Sequence, residues 1–206
     1  MSATLTVNNG SKQKGGAVIR PALRAGMIAM ALFGFLLFSQ GIWIHAKAIL
    51  AQVLLDRAFT QSIETGQPVK PWSWADTWPV ARIEFPRIGE TSIALRGASG
   101  QALAFGPGHV DRSAEAGESG TAVYAAHRDT HFAFLKNVQI GDKIKVTRRD
   151  GKAFSYQVTE TSVVRWDQSG IDSNAAGKNL VLATCWPFNA TTSGPMRYLV
   201  KAQIVE

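Results

Sequence analysis

From Gly26 to Ile44 the chain runs nineteen residues, GMIAMALFGFLLFSQGIWI, without a charge and with only Ser39 and Gln40 as mild polar interruptions. As a helix rising about 1.5 Å per residue, this run spans roughly 28 Å, close to the ~30 Å hydrocarbon core of a bilayer. Trp43 stands near one end, where an indole favours the headgroup layer. Lys12, Lys14, Arg20 and Arg24 precede the run, Lys47 follows it, and Asp56 and Arg57 further on cancel. The positive-inside bias therefore keeps a short N-terminus in the cytoplasm and sends everything after Ile44 across the membrane. A buried helix of a soluble protein is the plain alternative. A cleaved signal peptide is another, because Ala46-Lys47-Ala48 has the A-x-A form of a cleavage site. The apolar run exceeds the ~7–15 residues of a signal-peptide core, which favours an uncleaved anchor.

That leader also explains the charge. The net +7 suggests nucleic acid as a partner, but residues 1–55 hold five basic side chains and no acid. The other 151 residues hold 17 basic and 15 acidic side chains, too even a balance for a nucleic-acid groove. Outside the cytoplasm structural cysteines are usually paired, so the lone Cys185 reads as a reactive thiol or as a small buried hydrophobe.

Residues 1–20 are polar and expected to be disordered. Segment 46–64 keeps helix formers, with Ile49, Val53, Leu54 and Ala58 about a turn apart, and reads as a juxtamembrane helix ended by Gly66 and Pro68. Lys70–Pro79 packs three tryptophans and two prolines into a linker. From Val80 the period shortens to two. Strands are expected at Ala81–Phe85, Thr91–Arg96, Ala122–Ala126, Lys143–Arg148, Phe154–Val164, Leu180–Thr184 and Arg197–Val205, with Asp150-Gly151 turning a hairpin. Seven or so short strands with little helix indicate a mainly β domain, a sandwich or a barrel, whose long loops at 97–120 and 186–196 are natural sites of function.

The chemistry is narrowed by elimination. His109, His127 and His131, with Asp111 as a possible addition, lack HExxH or CxxC spacing, so no metal or cofactor is implied. Gly106-Pro107-Gly108 has no following Lys-Ser/Thr, which excludes a P-loop, and no G-x-S-x-G elbow appears. Cys185 closes the apolar run Leu180–Thr184, and Arg197 opens the last strand. If those strands are antiparallel neighbours, thiol and guanidinium meet at one end. His127 ends a third strand. A thiol with a pKa of about 8.5 is only a few per cent ionised at neutral pH, a histidine can exchange the protons of attack and departure, and an arginine can stabilise an oxyanion.

Leu182-Ala183-Thr184-Cys185 resembles the T-L-x-T-C signature of sortases, membrane-anchored cysteine transpeptidases, with Val181 in place of the first threonine. Ala125-Ala126-His127-Arg128-Asp129-Thr130 resembles the segment around their catalytic histidine, and Arg197 follows the cysteine at their spacing. The Pro71–Pro79 tryptophan cluster, Gly106-Pro107-Gly108-His109 and Cys185-Trp186-Pro187-Phe188 look like the class found in Gram-negative, often marine, proteobacteria. The resemblance implies a closed eight-stranded β-barrel over 80–206, preceded by a cytoplasmic tail (1–25), a transmembrane anchor (26–44) and a helix-plus-linker segment (45–79). It implies an exported protein substrate carrying a C-terminal LPXTG-like sorting signal, cut between Thr and Gly, an amine acceptor, and a catalytic domain on the periplasmic side. Cys185 would be the nucleophile, His127 the proton carrier and Arg197 the oxyanion and backbone holder. Thr184 and His109 would contact substrate, and Asp129 would orient His127 or, preferably, cap a turn. No calcium requirement is carried over. The alternatives are an L,D-transpeptidase-like exported cysteine enzyme, whose signature places glycine before the nucleophile, and a membrane-tethered β-domain that binds without catalysis. A papain-like protease is disfavoured because its cysteine precedes its histidine.

Overall fold

A computed structural model describes residues 16–205. The chain divides into two units, Met1–Lys47 and Ala48–Glu206. Helix α1 (Gly16–Thr65) is long and apolar enough to cross a membrane, alone in this among the described residues. In the first unit its apolar side chains, Phe33, Phe35 and Phe38 among them, are exposed. The tail expected to be disordered is corrected in part: residues 1–15 lie outside the described residues, and 16–20 are helical. The juxtamembrane helix expected over 46–64 is the C-terminal part of α1, continuous with the apolar run before it.

In the second unit eight strands close a barrel in the order β1-β2-β3-β4-β7-β8-β6-β5. They are β1 (Pro79–Phe85), β2 (Glu90–Arg96), β3 (Gly108–His109), β4 (Gly120–Ala125), β5 (Lys143–Arg148), β6 (Ala153–Arg165), β7 (Lys178–Cys185) and β8 (Met196–Val205). The β2–β3 and β4–β7 pairings are parallel and the others antiparallel, with β1–β5 closing the ring.

The period of two sorts each strand into an inner and an outer row. Ile83 and Phe85, Ala122 and Tyr124, Ile144 and Val146, Leu180 and Leu182, Val200 and Ala202 face inward and fill the barrel. Phe132, Leu135 and Val138, from the segment after β4, join this core. A second cluster lies on the outer face, where Leu55 and Phe59 of α1 pack on Ile93 and Leu95 of β2 and on Ala102 of the short helix α2 (Gly100–Phe105). Burying a side chain of this size stabilises by roughly 1.5–3 kcal/mol, so the last turns of α1 belong to the domain's own core. Trp72 packs edge-on to Phe105 at 4.8 Å, whereas Trp74 is exposed.

The expected loop 97–120 contains structure. It holds α2 and β3, the two-residue strand that completes the ring between β2 and β4. Gly108 is needed there, because a Cβ at this position would stand 2.3 Å from the Gly97 carbonyl oxygen. The hairpin at Asp150-Gly151 is as expected, with Gly151 at φ 79°.

Candidate active site

The candidate residues gather on the outer face of β4, β7 and β8. Cys185 is paired directly opposite Arg197 in the antiparallel β7–β8 ladder. Side chains of opposed residues share a face, with Cβ atoms about 4.5–5.5 Å apart. On the other side β7 runs parallel to β4, with Val123 level with Val181 and Ala125 level with Ala183. The ladder continues past the end of β4, since the Ala126 N–H donates to the Ala183 carbonyl at 3.1 Å. Two residues beyond Ala125 and Ala183, His127 and Cys185 come level. Histidine, just past the end of β4, thiol at the end of β7 and guanidinium at the start of β8 thus form one row at this edge of the barrel. Val123, Val181 and Leu199 form an apolar patch further along the same face.

All three side chains line one groove of about 440 Å³. Its floor includes Ala125 and Ala183, small residues that leave depth above the sheet. Its walls come from Leu103 of α2, from Val110, and from Trp166 and Ile171 in the connection between β6 and β7. His127 is exposed, and Cys185 is half-buried with a free thiol. Arg197 is half-buried, and its Nη1 donates to the carbonyls of Gly194 at 2.8 Å and Met196 at 2.9 Å. One guanidinium nitrogen therefore anchors the head to the β7–β8 loop. Trp186 stacks on Tyr198, and Phe188 meets the same tyrosine edge-on at 5.2 Å, seating the loop just beyond the thiol.

Thr184 and His109 lie in different places, Thr184 among the residues that line the groove and His109 away from it. Thr184 sits one residue from Cys185, so alternation turns its side chain to the inner face, 2% exposed. Its hydroxyl donates to the Ala126 carbonyl at 2.8 Å. His109 does not line the groove but faces a separate hollow of about 410 Å³ beside Arg96 and Arg148. There its Nε2 lies 3.0 Å from the Ala114 carbonyl oxygen and 3.1 Å from Ser113 Oγ. Asp129 is exposed. Among the described residues no hydrogen bond joins it to His127 and no group of three or more His, Cys, Asp or Glu side chains is gathered as a metal site.

His131 enters from the segment after β4, with its Nε2 3.4 Å from the Ala104 carbonyl of α2. Burial, chiefly, and the neighbouring His127 push its imidazole pKa below the usual value. The groove walls Leu103, Val110, Trp166 and Ile171 are not apparent from the sequence, because they converge from separate segments. Only the small outward residues Ala125 and Ala183, each two before a candidate catalytic residue, hint at the groove.

Residues 83–205 match the Sortase domain family. Over 119 residues the chain is 30% identical to Sortase D of Bacillus subtilis (strain 168), a stretch covering 57% of this chain and 60% of that protein's length. Among solved structures, Sortase C1 of GBS Pilus Island 1 superposes with a TM-score of 0.55 at 26% identity, covering 61% of this chain and 65% of that one. The Clostridium perfringens Sortase D5 transpeptidase superposes at 0.59 with 23% identity, covering 76% and 96%, a likeness of fold.

Proposed function

The chain belongs to the sortase family, and we propose that it is a membrane-anchored cysteine transpeptidase that cuts an LPXTG-like sorting signal between Thr and Gly and passes the protein to an amine. The observation that supports this reading most is the single row of His127, Cys185 and Arg197 along one groove. The substrate lies extended in the groove with its threonine carbonyl above Cys185. Small floor residues and apolar walls suit the leucine and proline of such a signal.

The thiolate Sγ attacks the threonine carbonyl carbon, and the oxyanion that forms is held by the Arg197 guanidinium. The carbon–nitrogen bond to glycine breaks as His127 delivers its proton to the departing amine, leaving a Cys185 thioester. An incoming amine then attacks the thioester, gives up a proton to His127, and expels the thiolate with a new amide formed. Nη1 of Arg197 is held by the carbonyls of Gly194 and Met196, so its other N–H groups can point at substrate without the cost of fixing a mobile side chain. Thr184 supports the row from beneath.

The apolar run of α1 serves as an uncleaved anchor, with the N-terminus cytoplasmic and the barrel on the periplasmic side, where exported substrates pass. The test uses the full chain in detergent and quenched peptides with LPXTG-like or scrambled sequences, with and without an amine. Cleavage between Thr and Gly that joins the upstream product to the amine, and that disappears in Cys185→Ala, is the expected result. Cleavage persisting in that variant, or a folded chain with an alkylatable thiol that turns over no member of a broad peptide library, overturns the reading.

A further inference from the structure

Arg128, the residue after His127, is unusual for a charged side chain. It is only 8% exposed, on a segment that otherwise turns outward. Its Nη2 donates to the carbonyls of Ala190 and Thr192, each at 2.6 Å, more than sixty positions away along the chain. Its Nη1 is buried without a partner. Burying a guanidinium against two carbonyls and leaving a donor unpaired is costly, and an apolar residue of similar size would fill the space at less cost. A fold retains such an arrangement where geometry matters more than stability.

What the guanidinium holds is the β7–β8 loop. Arg197 grips the same loop from its far end, at Gly194 and Met196. Three loop carbonyls and that of Met196, the first residue of β8, are thus held by two arginines, one entering beside His127 and the other belonging to the proposed catalytic row. The chain coming out of β4 is fixed at the same time. With Arg128 drawn inward under the loop, the backbone on the C-terminal side of His127 has one orientation, and the imidazole is held over the groove.

We propose that Arg128 is a positioning residue: by clamping the β7–β8 loop to the end of β4, it holds His127 and Arg197 at their stations on either side of Cys185. The inference rests on the transpeptidase reading for its turnover consequences, but not for its effect on the thiol. Both carbonyls accept from the single Nη2, so a lysine ammonium reproduces the clamp only in part, lacking the guanidinium's fixed plane.

The test uses full-length Arg128→Met and Arg128→Lys in detergent, followed by melting temperature, the rate of Cys185 alkylation by iodoacetamide at fixed pH, and kcat and KM on the peptide that the wild type cleaves best. Misplacing reacting groups by about 1 Å costs on the order of 100-fold. Arg128→Met is therefore expected to lower kcat about 30- to 100-fold with KM changed less than about threefold. Alkylation is expected to slow several-fold because His127 and Arg197 no longer stand in place beside the thiol, and Arg128→Lys is expected to recover part of both. Alkylation and kcat per folded molecule within twofold of wild type would overturn the proposal even if the melting temperature fell, since a merely structural arginine predicts that pattern. If Arg128→Met does not fold, Arg128→Lys decides by the same two readouts. If the wild type cleaves no peptide, the functional reading fails, and the alkylation rates alone still judge Arg128.

Discussion

The hydroxyl of Thr184 donates to the carbonyl of Ala126 across the β7–β4 pair at 2.8 Å, tying the residue before the thiol to the residue before the imidazole. The bond is buried inside the barrel, one layer beneath the groove. It makes the spacing of His127 and Cys185 a property of the core and not of the surface.

Thr184→Val keeps the shape and removes the donor, leaving a buried carbonyl short of a partner. Stability is expected to fall by about 1–3 kcal/mol. Turnover is expected to fall further than the unfolded fraction explains, while Thr184→Ser stays near wild type in both. Urea denaturation and peptide turnover on the same preparations check this.

Cys185→Ala is expected to abolish turnover and leave the melt almost unchanged. The side chain is half-buried on the outer face and removes only one sulfur from partial contact. Its thermal transition, set beside the wild type's, separates loss of chemistry from loss of fold.

Arg197→Lys preserves the charge but has no planar fork to hold both Gly194 and Met196 while facing the thiol. Removing one oxyanion donor costs on the order of 100- to 1,000-fold in kcat. A drop of about that size with little change in KM is expected from steady-state kinetics. A rise in KM alone would assign Arg197 to binding.

Ala183→Phe fills the groove floor without entering the barrel interior, because Ala183 points outward between Val181 and Cys185. KM is expected to rise at least tenfold with the melting temperature nearly constant. Alkylation of Cys185 by a small reagent is expected to continue, which distinguishes a blocked groove from a distorted one.

His131 sets part of the pH dependence of stability. Burial holds its pKa below the ordinary imidazole value of about 6.5 that the unfolded chain retains. Well above that value both states are neutral and the residue contributes nothing. As pH falls through about 6.5, the unfolded chain binds a proton that the folded chain refuses, so stability declines until the pH passes the folded value. Unfolding free energies measured at pH 7.5 and 5.5 are expected to differ less in His131→Gln than in wild type.

Much of the barrel is legible in one dimension. Seven strands lie within a residue or two of where alternation and turn chemistry place them, because a strand with one face in a core must repeat every two residues. The strand β3 escapes, since two residues, Gly108 and His109, are too few to show a period, and they qualify only by lying between β2 and β4. Thr184 and His109 show a second kind of limit. Their side-chain types suit substrate contact, but whether a residue next to Cys185 faces the groove depends on its parity in the strand. That parity turns Thr184 inward. Arg128 shows a third. Its local sequence gives no sign that it is buried, because the loop that buries it begins almost sixty residues later.

An apolar run suited to a bilayer, a mainly β domain with one thiol after it, and the candidates His127, Cys185 and Arg197 are all legible in the order of residues. These follow from composition, hydropathy and period, which are local. Long-range packing is what closes the ring, brings the three residues to one groove on its outer face, buries Thr184 and Arg128 beside them and turns His109 elsewhere. Each of these depends on which strands become neighbours and in what register, and register is set by packing across the whole barrel rather than by any single segment.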